Sequence, residues 1–128
     1  KGLGPLAVDP GLQRIAEAIY RQGGIVSSVC HGAAGLLDLQ TEGGRPLIEG
    51  RLVTGFSNTE ETLSGVKDQV PFLLQDELQS RGAKYDKSII PFRSYAVTDG
   101  RLVTGQNPSS GKAVAEALLQ AIEVNRVR

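Results

Sequence analysis

Residues Ile25-Val26-Ser27-Ser28-Val29 are a short β-prone run with apolar or small side chains on both faces, preceded by Gly23–Gly24. A strand of this kind cannot leave one face in water and suits the interior of a parallel sheet covered on both sides. The flanking sequence supplies helices. From Asp9 onward, Leu12, Ile15, Ala16 and Ile19 recur at three- and four-residue spacing, with Asp9 as N-cap, Pro10 in the first turn and the two glycines as the stop. This predicts one amphipathic helix. After the strand ends at Cys30, the small residues of Gly32-Ala33-Ala34-Gly35-Leu36-Leu37 let a second helix begin close against neighbouring backbone, before a polar turn at Gly43–Gly44.

Further along, Pro46 to Ile48 and Leu52 to Thr54 flank Glu49-Gly50-Arg51 and predict a hairpin. Asn58-Thr59-Glu60-Glu61 carries the cap and acidic residues of a helix start, which puts Glu61 in a first helical turn. Val70 to Arg81, with apolar residues at 70, 73, 74 and 78 and Gly82 at its end, predicts another helix. Ala96-Val97 and Leu102-Val103 around Asp99-Gly100 predict a second hairpin. A last helix opens at Pro108 and Ser109, carries Val114, Ala117, Leu118, Ala121 and Ile122 on one face, and ends in the basic residues Arg126 and Arg128. The hexapeptide Gly-Arg-Leu-Val-Thr-Gly occurs at 50–55 and again at 100–105. Its flanks differ, so it reads as two similar strand ends that each deliver a loop, not as a solenoid repeat. Alternating strands and helices predict an α/β layered sheet, whose functional groups gather at the C-terminal edge of the parallel strands, where Cys30 lies.

A chain of 128 residues that is 40% hydrophobic fits one domain, residues 1–128, with a modest core. Lys plus Arg equals Asp plus Glu at 14 each, without long runs of either sign, which leaves no electrostatic footprint for nucleic acid or an anionic membrane. No apolar run approaches the roughly 20 residues of a membrane span. The single cysteine cannot form an internal disulfide. Lys1 to Val8 lacks the apolar core and cleavage site of a secretory signal, so a cytoplasmic location is expected.

Cys30, between a strand and a helix, is expected to lie near backbone N–H groups and a positive helix end, which favour thiolate over thiol. A lone cysteine is equally often a small buried hydrophobe. His31, however, is the only histidine and directly follows the only cysteine, so a base stands in the same turn. An acid accepting the second imidazole N–H would orient it, and Glu60, Glu61 and Asp99 are the candidates. Each also has a purely structural use, the glutamates at a helix N-terminus and the aspartate in a turn. One cysteine and one histidine are too few soft ligands for a tetrahedral metal site, so no metal is expected, and no cofactor.

Val29-Cys30-His31-Gly32, with Ile25-Val26 before it, resembles the nucleophile turn of the ThiJ/PfpI superfamily. Gly44-Arg45-Pro46-Leu47-Ile48-Glu49-Gly50, Thr54-Gly55-Phe56-Ser57-Asn58 with Glu60-Glu61, and the run from Thr98 to Pro108 resemble its glyoxalase III and heat-shock-chaperone branch. The resemblance implies a flavodoxin-like three-layer α/β/α sandwich with a mostly parallel sheet and added hairpins, of which the chain holds the C-terminal part, without the leading strands and their thiol-partnering acid. It implies Cys30 as nucleophile, His31 as proton carrier and, by alignment through Arg45-Pro46-Leu47, Glu61 as the acid that orients the histidine. Gly2-Leu3-Gly4 is similar to the remnant of a glycine-rich oxyanion loop, which puts Gly4 and the backbone of His31 in the oxyanion role.

The activity implied is glutathione-independent conversion of methylglyoxal to lactate by a homodimer. Two rival functions use the same residues. One is a stress-response chaperone or binding protein that exposes apolar surface and uses Cys30 as an oxidation sensor. The other is a cysteine peptidase or amidase, although glutaminases of related fold place their histidine far from the cysteine in sequence. A parallel sheet lacking its leading strands would expose an unpaired edge, so the isolated chain is expected to be poorly soluble.

Overall fold

Strand β1 (Val26–Val29) pairs in parallel with β5 (Leu102–Gly105), Val26 opposite Leu102 and Val29 opposite Gly105. The fold is that of a computed structural model, which describes residues 10–65, 68, 70 and 72–126. On the other side of β5, β4 (Ala96–Asp99) runs antiparallel, giving the order β1-β5-β4. This is the hairpin expected around Asp99-Gly100, with Asp99 paired to Leu102 so that Gly100 and Arg101 form the loop.

Side-chain alternation along these strands separates two cores. Val26 and Leu102 face the larger one, with Tyr20, Ala33, Leu36, Ile48, Val53, Leu74 and Leu78. Ile25, Val29 and Val103 face a smaller one, closed by Val114, Ala117, Leu118 and Ala121. Those last four residues lie on α4 (Gly111–Arg126), which covers one side of the sheet. The other side is covered by α1 (Pro10–Arg21) and by the 3-10 helix Cys30–Leu36. Helical layers lie on both sides of β1, but the full two-sided burial expected from its composition is not met: Val26 is buried, Ser28 and Val29 are half-buried, Ser27 is exposed, and β1 is the end strand of the described sheet.

The apolar stripe of α1 is only partly used. Ala16 packs on the larger core and Tyr20 is buried, whereas Leu12, Ile15 and Ile19 remain 45%, 60% and 42% exposed. Arg101 fixes the end of this helix, stacking 4.1 Å above the Tyr20 ring and donating to the carbonyls of Tyr20 and Gly24.

The hairpin expected around Glu49-Gly50-Arg51 does not form. Leu52–Val53 (β2) instead pairs in parallel with Lys84–Tyr85 (β3). The reason lies in distant partners: the Asp99 carboxylate accepts the Leu52 N–H at 2.8 Å, and the Arg51 carbonyl accepts the Lys84 N–H at 2.8 Å. Pro46 is taken up by a bridge to Gln40. Helix α2 (Asn58–Ser64) starts one residue earlier than its acidic signature suggests, because Ser57 is the cap and forms a reciprocal capping box with Glu60. Helix α3 spans only Leu74–Ser80 of the expected 70–81 segment, with Gly82 beyond it at φ +90°.

Candidate active site at the end of strand β1

Cys30 follows the last residue of β1 directly and adopts φ +59°, in the left-handed region that a side chain with a Cβ rarely occupies. The turn swings the chain from the sheet into the 3-10 helix and brings Cys30 and His31 to the same side. The Cys30 Sγ lies 3.7 Å from His31 Nδ1, and His31 Nε2 lies 2.9 Å from Glu61 Oε2. A carboxylate only accepts, so Nε2 carries a proton, and in the neutral form of the imidazole the Nδ1 lone pair faces the sulfur.

Glu61 is fully buried on the first turn of α2, and its second oxygen, Oε1, has no hydrogen-bond partner among the described residues. Of the three acids the sequence offered, this is the one that reaches the imidazole. Asp99 lies elsewhere, bound to the Leu52 amide and 3.5 Å from the Arg51 guanidinium. Glu60 points away from His31 and accepts hydrogen bonds from Ser57, Gln106, Asn107 and Phe92. Gly4 lies outside the described residues.

The expected preference for thiolate is reversed. Burial pushes the half-buried Cys30 thiol up to about 11, the backbone amide of His31 pulls it down, and the charges of Glu60 and Glu61 push it up again. A seven-residue 3-10 helix offers too little dipole to overcome this. The resting sulfur is thus held as a thiol, 3.7 Å from His31 Nδ1.

Aromatic residues complete the surroundings. The Phe56 ring packs on His31 with centroids 4.3 Å apart, and Phe92 meets Phe56 edge-on at 5.8 Å. Neither stood out in the sequence as part of a site. Phe56 carried a signal in its place within the Thr-Gly-Phe segment, whereas nothing in the sequence marks Phe92. Among the described residues, no group of three or more His, Cys, Asp or Glu side chains could hold a metal ion, and no helix is long and apolar enough to cross a membrane.

No family model matches the chain. It is 44% identical over 119 residues to a glutathione-independent glyoxalase of Saccharomyces cerevisiae, covering 88% of this chain and 49% of the relative. With glyoxalase 3 of Candida albicans the identity is 40% over 121 residues, covering 89% and 50%. The chain thus spans about half the length of the curated relatives it matches. Among solved structures, glyoxalase III from Candida albicans superposes with a TM-score of 0.88 at 37% identity, over 93% of this chain and 52% of that one. A ThiJ/PfpI domain protein from Brachyspira murdochii superposes with a TM-score of 0.65 at 18% identity, over 93% and 53%, a likeness of fold alone.

Proposed function

The chain is a relative of the glutathione-independent glyoxalases with the fold of a ThiJ/PfpI domain, and on that premise we propose that it carries the nucleophile of a site converting small 2-oxoaldehydes, such as methylglyoxal, to 2-hydroxy acids. The observation that carries this reading is the line from Cys30 Sγ through the His31 imidazole to Glu61, at 3.7 Å and 2.9 Å.

In the proposed reaction the Cys30 sulfur attacks the aldehyde carbon while its proton passes to His31 Nδ1 and on to the aldehyde oxygen, giving a hemithioacetal. His31 then takes the proton from the former aldehyde carbon. The hydroxyl proton passes to the neighbouring carbonyl oxygen, giving an enediol, and the neighbouring carbon then receives the proton held by His31, which leaves a lactoyl thioester. Water attacks the thioester, the C–S bond breaks, lactate departs and the thiol regains its proton. Glu61 keeps the imidazole in the tautomer that presents Nδ1 to the sulfur. Neither glutathione nor a metal enters this balance. Gly4 and the His31 amide are proposed as oxyanion donors, and residues 1–128 as part of one ThiJ/PfpI-like domain.

Incubation with methylglyoxal in the absence of glutathione tests the reading: lactate should form, and Cys30→Ala should abolish it. No lactate from protein with a native amide spectrum would refute it for this chain.

A chaperone role is the second reading, favoured by the exposed Leu12, Ile15 and Ile19 of α1 and by Leu119 and Ile122 of α4. The same surfaces support a proposed homodimer, and the lone cysteine suits a reducing cytoplasm. Suppression of client aggregation that survives Cys30→Ala would speak for it.

A further inference from the structure

Glu60 has no exposed surface, yet it is not the carboxylate that touches His31. A buried charge persists only when fully hydrogen-bonded, and Glu60 gathers its donors from three segments. Within its own turn, the Ser57 N–H and hydroxyl donate to Oε1, both at 3.0 Å. After β5, the side-chain amides of Gln106 and Asn107 donate at 3.0 Å and 2.9 Å. From the loop before β4, the Phe92 N–H donates at 2.7 Å. These bonds outweigh the upward push of burial and hold the Glu60 carboxyl below its ordinary range.

A helix cap needs only the first pair, so the other three require a different account. Phe92 adopts φ +62°, a strained conformation for a bulky residue that survives only where its surroundings over-determine it. The Glu60 carboxylate supplies that restraint on the amide, and Asn107 adds to it by donating to the neighbouring Arg93 carbonyl at 2.7 Å. Held there, Phe92 backs Phe56, whose ring lies 4.3 Å from that of His31.

We infer that Glu60 is a positioning residue for His31, acting through Phe92 and Phe56. Two consecutive carboxylates on α2 thereby restrain one imidazole in two directions. Glu61 holds its edge by a hydrogen bond, and Glu60 holds its face by way of the aromatic pair. A proton carrier 3.7 Å from its donor gains from both restraints, since small misplacements of a reacting group are costly in rate. The inference deepens the proposed function and rests on it only for the turnover arm of its test.

Because His31 is the only histidine, its imidazole C–H signals in an NMR spectrum are unambiguous, and the Phe56 ring current displaces them from their random-coil positions. In Glu60→Gln an amide NH2 must face groups that are themselves donors. Phe92→Gly removes the ring while relieving the backbone strain, so it keeps the question open to a clean answer if Glu60→Gln does not fold. In each variant with a native amide spectrum, the His31 signals should move towards random-coil positions, and Phe92→Tyr should hold them in place. Turnover of methylglyoxal should fall by up to about 10²-fold in kcat with little change in KM. His31 signals unmoved in folded Phe92→Gly would overturn the inference and leave Glu60 a stabilising cap. Absence of turnover in the unaltered chain would count against the glyoxalase reading, while the NMR signals still decide this one.

Discussion

The backbone N–H of Thr54 donates to Oγ1 of Thr104 at 2.9 Å, so the fifth residues of the two Gly-Arg-Leu-Val-Thr-Gly copies are in direct contact. Both threonines are fully buried. The second copy thus supplies a side chain that, with Asp99 at Leu52, satisfies the edge of β2 turned away from β3, just before the chain turns towards Phe56 and α2.

Replacing Thr104 by valine keeps the shape and removes the acceptor, leaving a buried N–H without a partner. A loss of about 1–3 kcal/mol is expected, read as a lower urea midpoint at unchanged slope. Thr104→Ser should recover most of it, and a valine variant as stable as the parent would show that the amide finds another acceptor.

Alkylation of Cys30 should follow a pH midpoint near 11, above the ordinary thiol value of 9.0, because burial disfavours the thiolate. The same shift sets the sign of a stability change. The folded chain keeps a proton that the unfolded chain has already released, so stability should fall as pH rises from about 9 towards 11. Denaturation in urea at three pH values across this window checks the slope, and a midpoint near 8.5 in the alkylation assay would contradict the burial argument.

Loss of the proton carrier in His31→Ala should lower methylglyoxal turnover by about 10²–10⁴-fold. Glu61→Gln leaves a hydrogen-bonding amide but allows the wrong imidazole tautomer, so it should lower kcat and leave KM nearly unchanged. Equal kcat in Glu61→Gln and the parent would remove Glu61 from the proposed mechanism.

A methyl group at Gly105 would sit 2.4 Å from Val114 Cγ2 and 3.1 Å from Ser110 Cβ. Gly105→Ala must therefore push α4 off the sheet, at a cost of about 1–3 kcal/mol. Thermal unfolding measures it. Pairing the change with Val114→Ala should recover part of the loss, since that removes the atom it strikes.

Local signals made β1, the β4–β5 hairpin and the long helices legible: a β-prone run at 25–29, the Asp99-Gly100 turn signal, whose loop falls one residue later at Gly100 and Arg101, and apolar spacing from Val114 to Ile122. The sequence overstated the burial of β1, whose Ser27 is exposed at the end of the described sheet. The pairing of β2 with β3 was not legible, because each strand has two residues and its partner is set by Asp99 and Arg51, far apart in sequence. Choosing among Glu60, Glu61 and Asp99 likewise needed more than spacing, since all three suit their local structure without any catalytic use. The high proton affinity of Cys30 arises from packing and from two carboxylates thirty residues downstream, which neighbouring residues do not reveal. The left-handed Phe92 has no counterpart in side-chain chemistry at all.

Cys30 holds a backbone conformation that glycine or asparagine would adopt more cheaply, by about 1–2 kcal/mol for the first. The backbone conformation thus favours glycine at residue 30, against which stand the packing of the Cys30 side chain on the larger core and the proposed use of its sulfur. A lineage that gave up that use would be freer to drift to glycine. The identity of this one residue in any descendant chain therefore bears on whether selection still acts on the sulfur.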